Sequence, residues 1–266
     1  MKLAVSNIAW DSNENDEIAS LLKDNNVTGI EVAPTKICPD LNKLSDEVIR
    51  DYLHYWKQRE ISIIAMQSLL FNQNHLSVFD ESSHQMMVYL EKIIKVASQL
   101  SAKALVFGSP KNRLIGTLDP ALAQEKALIF FNQLGDIAYS HGVYICIEAN
   151  PKQYGCDFIT NTMDGLDFVR QVDNKGIKLQ IDTGTMLINE EVPLSIFEQC
   201  LPHIGHFHIS EPFLDMVGKS NHAAIADSLR SLGYNGWLSI EMKNNLHSNN
   251  VAAISRALEY VRSVYF

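Results

Sequence analysis

Eight short runs rich in β-branched and other apolar residues punctuate the chain: KLAVSNI (2–8), TGIEVA (28–33), ISIIAM (61–66), KALVFG (103–108), VYICIE (143–148), IKLQID (177–182), IGHFHI (204–209) and GWLSIE (236–241). Each is close to continuously apolar rather than alternating. A strand covered on both faces, as in a parallel sheet flanked by helices, requires that pattern. Between the runs the hydrophobic period lengthens. Met87, Leu90, Ile94 and Ala97 keep one face of a long helix, and Val251, Ile254, Leu258 and Val261 keep one face of the last. Asp119-Pro120 reads as a helix cap followed by proline in the first turn, and Val192-Pro193 as a second such start. Gly142, Gly176 and Gly233 fall near helix ends just before strands, where a left-handed residue closes the last turn.

Eight strands, each followed by a helix, predict an α/β fold of the (β/α)8 TIM-barrel type, with residues 1–266 as a single domain. A doubly wound open sheet is the alternative. It normally needs fewer strands, and no GxGxxG follows the first one here. No Gly/Ser/Pro-rich linker or low-complexity segment divides the chain. A 46% hydrophobic composition supplies one large core. The net charge of −9 disfavours a nucleic-acid partner. No run of about 18 apolar residues exists, so no membrane partner is expected, and the apolar stretch at the N-terminus is too short for a signal peptide. Cys38, Cys146, Cys156 and Cys200 lack CxxC spacing, which excludes a thiolate zinc site or dithiol motif. Reduced thiols place the protein in the cytoplasm.

In a TIM barrel the chemistry sits where strands end. Glu148 ends the fifth run, Asp182 the sixth and Glu241 the eighth, while His208 lies near the end of the seventh. Taken singly, each reads equally well as a buried polar residue satisfied by neighbours. Together, three carboxylates at an apolar mouth repel one another and lose hydration, and a divalent cation removes that cost. Three carboxylates and an imidazole suit Mn²⁺, Mg²⁺ or Co²⁺, and Zn²⁺ also accepts them. His206 and His208, two apart on a strand, share a face. His208 is nearer the mouth and is the expected ligand. His206 is expected one layer deeper, packed and hydrogen-bonded behind it.

Other residues offer substrate contacts. In FGSPKNR (107–113), Ser109, Lys111 and Arg113 follow the fourth strand and are placed to hold a phosphate or carboxylate; a solvated loop with two ordinary basic residues is the competing reading. Trp10 provides an apolar wall for a sugar, or simply core rim. Glu211 stands just past the seventh strand, as support for the site or as an exposed loop acid. His222 contacts substrate or starts a helix. Glu31 lines the mouth or pairs internally. Asn7 and Gln67 sit at strand ends.

At CIEANP, QIDTGT, HFHISEP and WLSIEM the chain resembles the sugar phosphate isomerase/epimerase superfamily, the xylose isomerase-like TIM barrels. Within it the likeness is to the branch of ketose 3-epimerases, hydroxypyruvate isomerase and inosose dehydratase. It runs the whole chain in strand order, with its specific motifs in the second half. The resemblance implies one divalent metal on Glu148, Asp182, His208 and Glu241, and a carbohydrate substrate. It also implies proton transfer beside a metal-polarised carbonyl through an enediolate, with Glu148 and Glu241 as ligand and acid/base at once. Dimers or tetramers are implied as well. The resemblance stops at Thr185 and Leu214, where hexulose 3-epimerases carry a substrate-binding histidine and arginine, and at ISEP, where inosose dehydratases tend to carry a lysine. Two other classes stand beside it. An endonuclease IV-like zinc phosphodiesterase needs three metals and more histidines, and none stands three residues after Asp182. A non-catalytic binding protein would not be expected to keep the full quartet.

Overall fold

The computed structural model describes residues 1–246 and 249–266. Eight parallel strands, β1 (Lys2–Ser6), β2 (Gly29–Val32), β3 (Ser62–Met66), β4 (Ala104–Phe107), β5 (Tyr144–Glu148), β6 (Ile177–Asp182), β7 (Ile204–Ser210) and β8 (Trp237–Glu241), close into a barrel in chain order. The ring shuts where β8 pairs with β1, Trp237 opposite Lys2 and Ile240 opposite Val5. Around it run α1 (Asn15–Asp24), α2 (Pro34–Ile37), α3 (Asp46–Lys57), α4 (Ser83–Gln99), α5 (Pro120–Ser140), α6 (Thr162–Val172), α7 (Thr183–Ile188), α8 (Pro193–Cys200), α9 (Ala223–Ser231) and α10 (Asn250–Tyr265). This is the predicted (β/α)8 architecture: each apolar run holds one strand, and only β7 reaches past its run, by one residue to Ser210. Among the described residues no helix is long and apolar enough to cross a membrane.

The local signals act as their chemistry dictates. The Asp119 carboxylate accepts from the amides of Ala121 and Leu122, and Pro120 opens α5. Leu90, Ile94 and Ala97 bury the inner face of α4 with Met86 and Ile93, while Met87 is only partly covered. β1 stops at Ser6, two residues short of its apolar run, because Asn7–Ala9 coil into a 3-10 turn. Gly142 and Gly233 are left-handed, with φ of 71° and 67°. Gly176 departs from expectation. Asp173 makes the left-handed turn after α6, at φ 45°. Gly176 is needed for close approach instead, since a Cβ there would lie 1.9 Å from the carbonyl oxygen of Gly135 on α5.

Two register offsets matter for the interior. The β2–β3 pairing shifts between Ile30 and Glu31, and the β6–β7 pairing between Leu179 and Gln180. Such offsets re-aim side chains, and here they flank Glu31, Gln180 and His206. Ala65, Ala104 and Cys146 form one small buried cluster, with Ile64 and Tyr144 packed against it. All four cysteines are free. Burial pushes the Cys146 thiol up, as befits an inert core residue.

Candidate metal centre and cleft

Glu148, Asp182 and Glu241 are the last residues of β5, β6 and β8, and His208 is the fifth of β7. Register pairs Asp182 with His208 and Ser210 with Glu241. One ligand atom from each of Glu148, Asp182, His208 and Glu241 falls within 4.8 Å of all the others. His208 Nδ1 lies 3.2 Å from a Glu148 oxygen and 3.1 Å from a Glu241 oxygen, yet makes no hydrogen bond. Ligands held at about 2.1 Å around an octahedral ion stand about 3 Å apart. A buried nitrogen without a partner, facing carboxylate oxygens at that spacing, fits a shared cation.

The electrostatics agree. Burial pushes the Glu148, Asp182 and Glu241 carboxyls above their usual range, and the carboxylates raise one another further. Burial opposes charge on His208, but Glu241 and Glu31 outweigh it and hold its pKa well above the ordinary value. Asp182 is fixed in place: one oxygen accepts from the Thr185 amide at 2.7 Å, and the other from the Ser210 hydroxyl. Thr185 donates its own hydroxyl to the carbonyl of Ala149.

Behind His208 lies Glu31, fully buried on β2. His208 Nε2 stands 3.0 and 3.1 Å from its two oxygens, His206 Nε2 3.4 Å from one, and the Ser239 hydroxyl donates at 2.8 Å. The two imidazoles meet edge to face at 5.3 Å. His206 lies one layer below His208, packed against its ring, and its Nε2 makes no hydrogen bond. Glu31 is the internal pair rather than a rim residue: burial alone would raise its pKa, but the two histidines bring it well below the carboxylate range. Glu31, His206 and His208 form a second group of close ligand-type atoms, beneath the first.

The cleft above Glu148 and Glu241 has two lobes. One, of about 460 Å³, runs between the loops after β3 and β4 past Gln67, Asn72, Ser109 and Lys111. The other, of about 410 Å³, is lined by Asn150, Tyr154, Asp182, Glu211, Phe213 and Lys243. Pro110, Leu214 and both glutamates border each lobe. A roomier groove of about 730 Å³ lies off this axis beside Lys152 and Glu191 and contains none of the quartet. Gly108 allows the fit, because a Cβ there would come within 1.9 Å of a Glu148 oxygen.

The structure places the remaining expected site residues unevenly. Ser109 and Lys111 border the cleft. Arg113 does not reach it: wholly buried, it donates to the carbonyl of Glu148 at 2.6 Å and faces that of Phe107. The turn Pro110–Arg113 folds it beneath the strand ends, so its charge serves the backbone of β5 rather than an anion. Trp10 is also no wall. It is buried edge-on against Trp56 and donates to Asn15, because the Asn7–Ala9 turn carries it behind the rim. Ile8 borders the cleft instead. Glu211 borders the second lobe while its Oε1 accepts from the amides of Gly218 and Ser220. Burial raises the Glu211 carboxyl, but His222 and Ser220 outweigh it and bring it down to about 2. His222 is fully buried behind Glu211, 3.3 Å away, and bonded to the Tyr265 hydroxyl. It is not among the residues lining the cleft, because α10 covers it. Phe71, Phe213, Tyr154 and Lys243 were missed. Exposed aromatic residues in loops after strand ends were the signal available for the two phenylalanines.

A closed eight-stranded barrel with a carboxylate–histidine cluster at its mouth is the class these features define. The sequence profile of the xylose isomerase-like TIM barrels matches residues 19–264, and the chain belongs to that family. The D-psicose 3-epimerase of Ruminiclostridium cellulolyticum is 27% identical over 127 residues, 47% of this chain and 43% of the relative, so the match spans less than half of the relative's length. A solved D-psicose 3-epimerase in the presence of D-fructose superposes with TM-score 0.81 at 19% identity, covering 100% of this chain and 99% of that one. The IOLI protein with a bound zinc atom gives 0.79 at 18%, covering 100% and 98%. At these identities the structural likenesses establish the fold.

Proposed function

We propose that this protein is a divalent-metal-dependent isomerase or epimerase. Its substrate would be a sugar, sugar phosphate or related keto compound, and its reaction proton transfer on the carbon beside a carbonyl. The observation that carries this is the convergence of Glu148, Asp182, His208 and Glu241 within 4.8 Å around an unpartnered imidazole nitrogen. The similarity to a D-psicose 3-epimerase supports the substrate class. One Mn²⁺, Mg²⁺, Co²⁺ or Zn²⁺ ion on these four residues would supply the Lewis acidity that makes such a proton removable.

The chain's own residues do the rest. Glu148 and Glu241 border both lobes of the cleft from non-adjacent strands, so they reach a bound substrate from two sides. One takes the carbon-bound proton and the other returns it. Burial raises both carboxyls in the metal-free protein, and the charge of a bound ion would keep them ionised and able to accept the proton. Asp182, with both oxygens already engaged, is a ligand rather than a base. Arg113 ties down the end of β5 and so the aim of Glu148. Gln67, Asn72 and Ser109 offer hydrogen bonds to substrate hydroxyls, and Lys111 and Lys243 are the cations left to meet an acidic group.

The test is solvent exchange. Protein loaded with Mn²⁺ is incubated with a panel of ketoses and ketose phosphates in deuterated water and followed by NMR. One equivalent of metal and deuterium beside the carbonyl of at least one compound, abolished by chelator, is the expected result. Full metal loading with no exchange across the panel would overturn the proposal, and three bound metals would favour the nuclease reading.

A further inference from the structure

We propose that Glu31 is the positioning residue of the metal centre: it holds the Nε2 proton of His208 and thereby leaves Nδ1 bare and aimed at the ion. The inference rests on the quartet being the metal site, and it concerns a residue that touches neither ion nor substrate.

A neutral imidazole carries one proton on one of two nitrogens. The surroundings of His208 decide between them. Nε2 lies 3.0 and 3.1 Å from the two oxygens of Glu31, good hydrogen-bonding distances on the side away from the cleft. Nδ1 lies among the cleft carboxylates with no hydrogen bond. A neutral ring with its one proton on Nδ1 would occupy the position the ion needs and take from Glu31 the donor His208 offers it, leaving the Ser239 hydroxyl. Glu31 is 0% exposed, so water cannot replace that donor.

Glu31 is itself anchored from two further directions. Ser239, paired in register with His208 on β8, donates to it at 2.8 Å, and His206 approaches at 3.4 Å. The register offset beside Glu31 in β2 falls where the strand must present this carboxylate to the barrel interior. β2, β7 and β8 thus meet at one carboxylate, and a ligand on β7 is aimed from across the barrel. Carboxylates behind metal-bound imidazoles act this way by fixing tautomer and ring angle, and their loss weakens metal binding by about 10- to 100-fold.

The experiment compares wild type, Glu31→Gln and Ser239→Ala. Mn²⁺ affinity is measured by competition with a chelator, and melting in chelator reports folding. Nitrogen-15 NMR of the histidine rings in the Zn²⁺-loaded proteins reports the tautomer. Glu31→Gln is expected to bind Mn²⁺ about 10- to 100-fold more weakly, and Ser239→Ala to lose affinity in the same direction by less. The His208 ring of loaded wild type is expected to be protonated on Nε2 and metallated on Nδ1. A general packing role would lower melting without moving that signature. Wild-type affinity in folded Glu31→Gln, or a His208 ring protonated on Nδ1 in metal-loaded wild type, overturns the proposal. So does a second metal equivalent that only Glu31→Gln loses, which would make Glu31, His206 and His208 a cation site of their own. If Glu31→Gln does not fold, the wild-type ring signature and Ser239→Ala decide. Wild type that takes up no ion would instead sink the metal reading itself.

Discussion

Single atoms decide much of this site. Glu148→Gln and Glu241→Gln keep the shape of each side chain but remove the carboxylate to which the proposed reaction assigns proton transfer. Each is expected to lower kcat by about 10²-fold or more once a substrate is in hand, with metal content measured on every variant. Gly108→Ala should be as damaging without touching a functional group. Its new methyl would collide with a Glu148 oxygen at 1.9 Å, and moving that carboxylate by an ångström costs about 10²-fold in rate. A crystal structure of the variant with Glu148 undisturbed would refute this. The quartet was legible in the sequence because each member stands at or near the end of an apolar run, and such runs mark strands. Glu31 was legible only as an open choice between the mouth and an internal pair, since its partners His206, His208 and Ser239 lie 175 or more positions away in sequence and only barrel closure brings them together. Arg113 misled for a related reason. A basic residue after a strand reads as an anion ligand, but the turn that carries it tucks the guanidinium under the carbonyl of Glu148.

Between elements, the loop after β7 sets the character of the cleft. Phe213 is 60% exposed and Leu214 half-buried, apolar side chains at the border of the cleft. Both adopt left-handed φ, 61° and 56°, held by the Tyr154 hydroxyl accepting from the Phe213 amide at 2.8 Å and by ring contact between the two aromatics. A substrate hydroxyl pressed against this wall would lose its hydrogen bonds, so compounds bearing few hydroxyls there are favoured. Leu214→Asn is expected to shift the ratio of kcat/KM values toward the more hydroxylated member of a matched deoxy/hydroxy ketose pair by about 10-fold. An unchanged ratio would show that Leu214 stands clear of substrate. The strands followed from the apolar runs, and the starts of α5 and α8 from Asp119-Pro120 and Val192-Pro193. The conformation of this loop did not, because nothing in the string PFL asks for two left-handed residues in succession.

At the scale of the molecule, the barrel gathers ionisable groups that would not choose one another's company. Glu148, Asp182 and Glu241 hold protons to higher pH when folded than when unfolded, so the metal-free protein loses stability as pH rises through their raised pKa values. A bound divalent ion needs them ionised and relieves their repulsion. The rise in Tm on adding Mn²⁺ should therefore be small near pH 5 and grow toward pH 7.5. At about a hundredfold excess over Kd the gain is about 2.7 kcal/mol. Calorimetry showing a shift that shrinks with pH would contradict the ligand assignment. Glu211 has the opposite sign. Its carboxyl, held down to about 2, stabilises the loop around Gly218 and Ser220 at neutral pH and loses that contribution as pH falls from its ordinary value through 2.

The left-handed pair at Phe213 and Leu214 also bears on how this protein would respond to laboratory evolution. Each non-glycine residue in that conformation costs about 1 kcal/mol or more, and glycine at either place would recover much of it while stripping away the side chain that faces the cleft. A library sorted only for heat resistance would be drawn to glycine at these two positions. Its winners would be sturdier proteins with poorer discrimination, and the trade would go unnoticed until they were asked to choose between substrates.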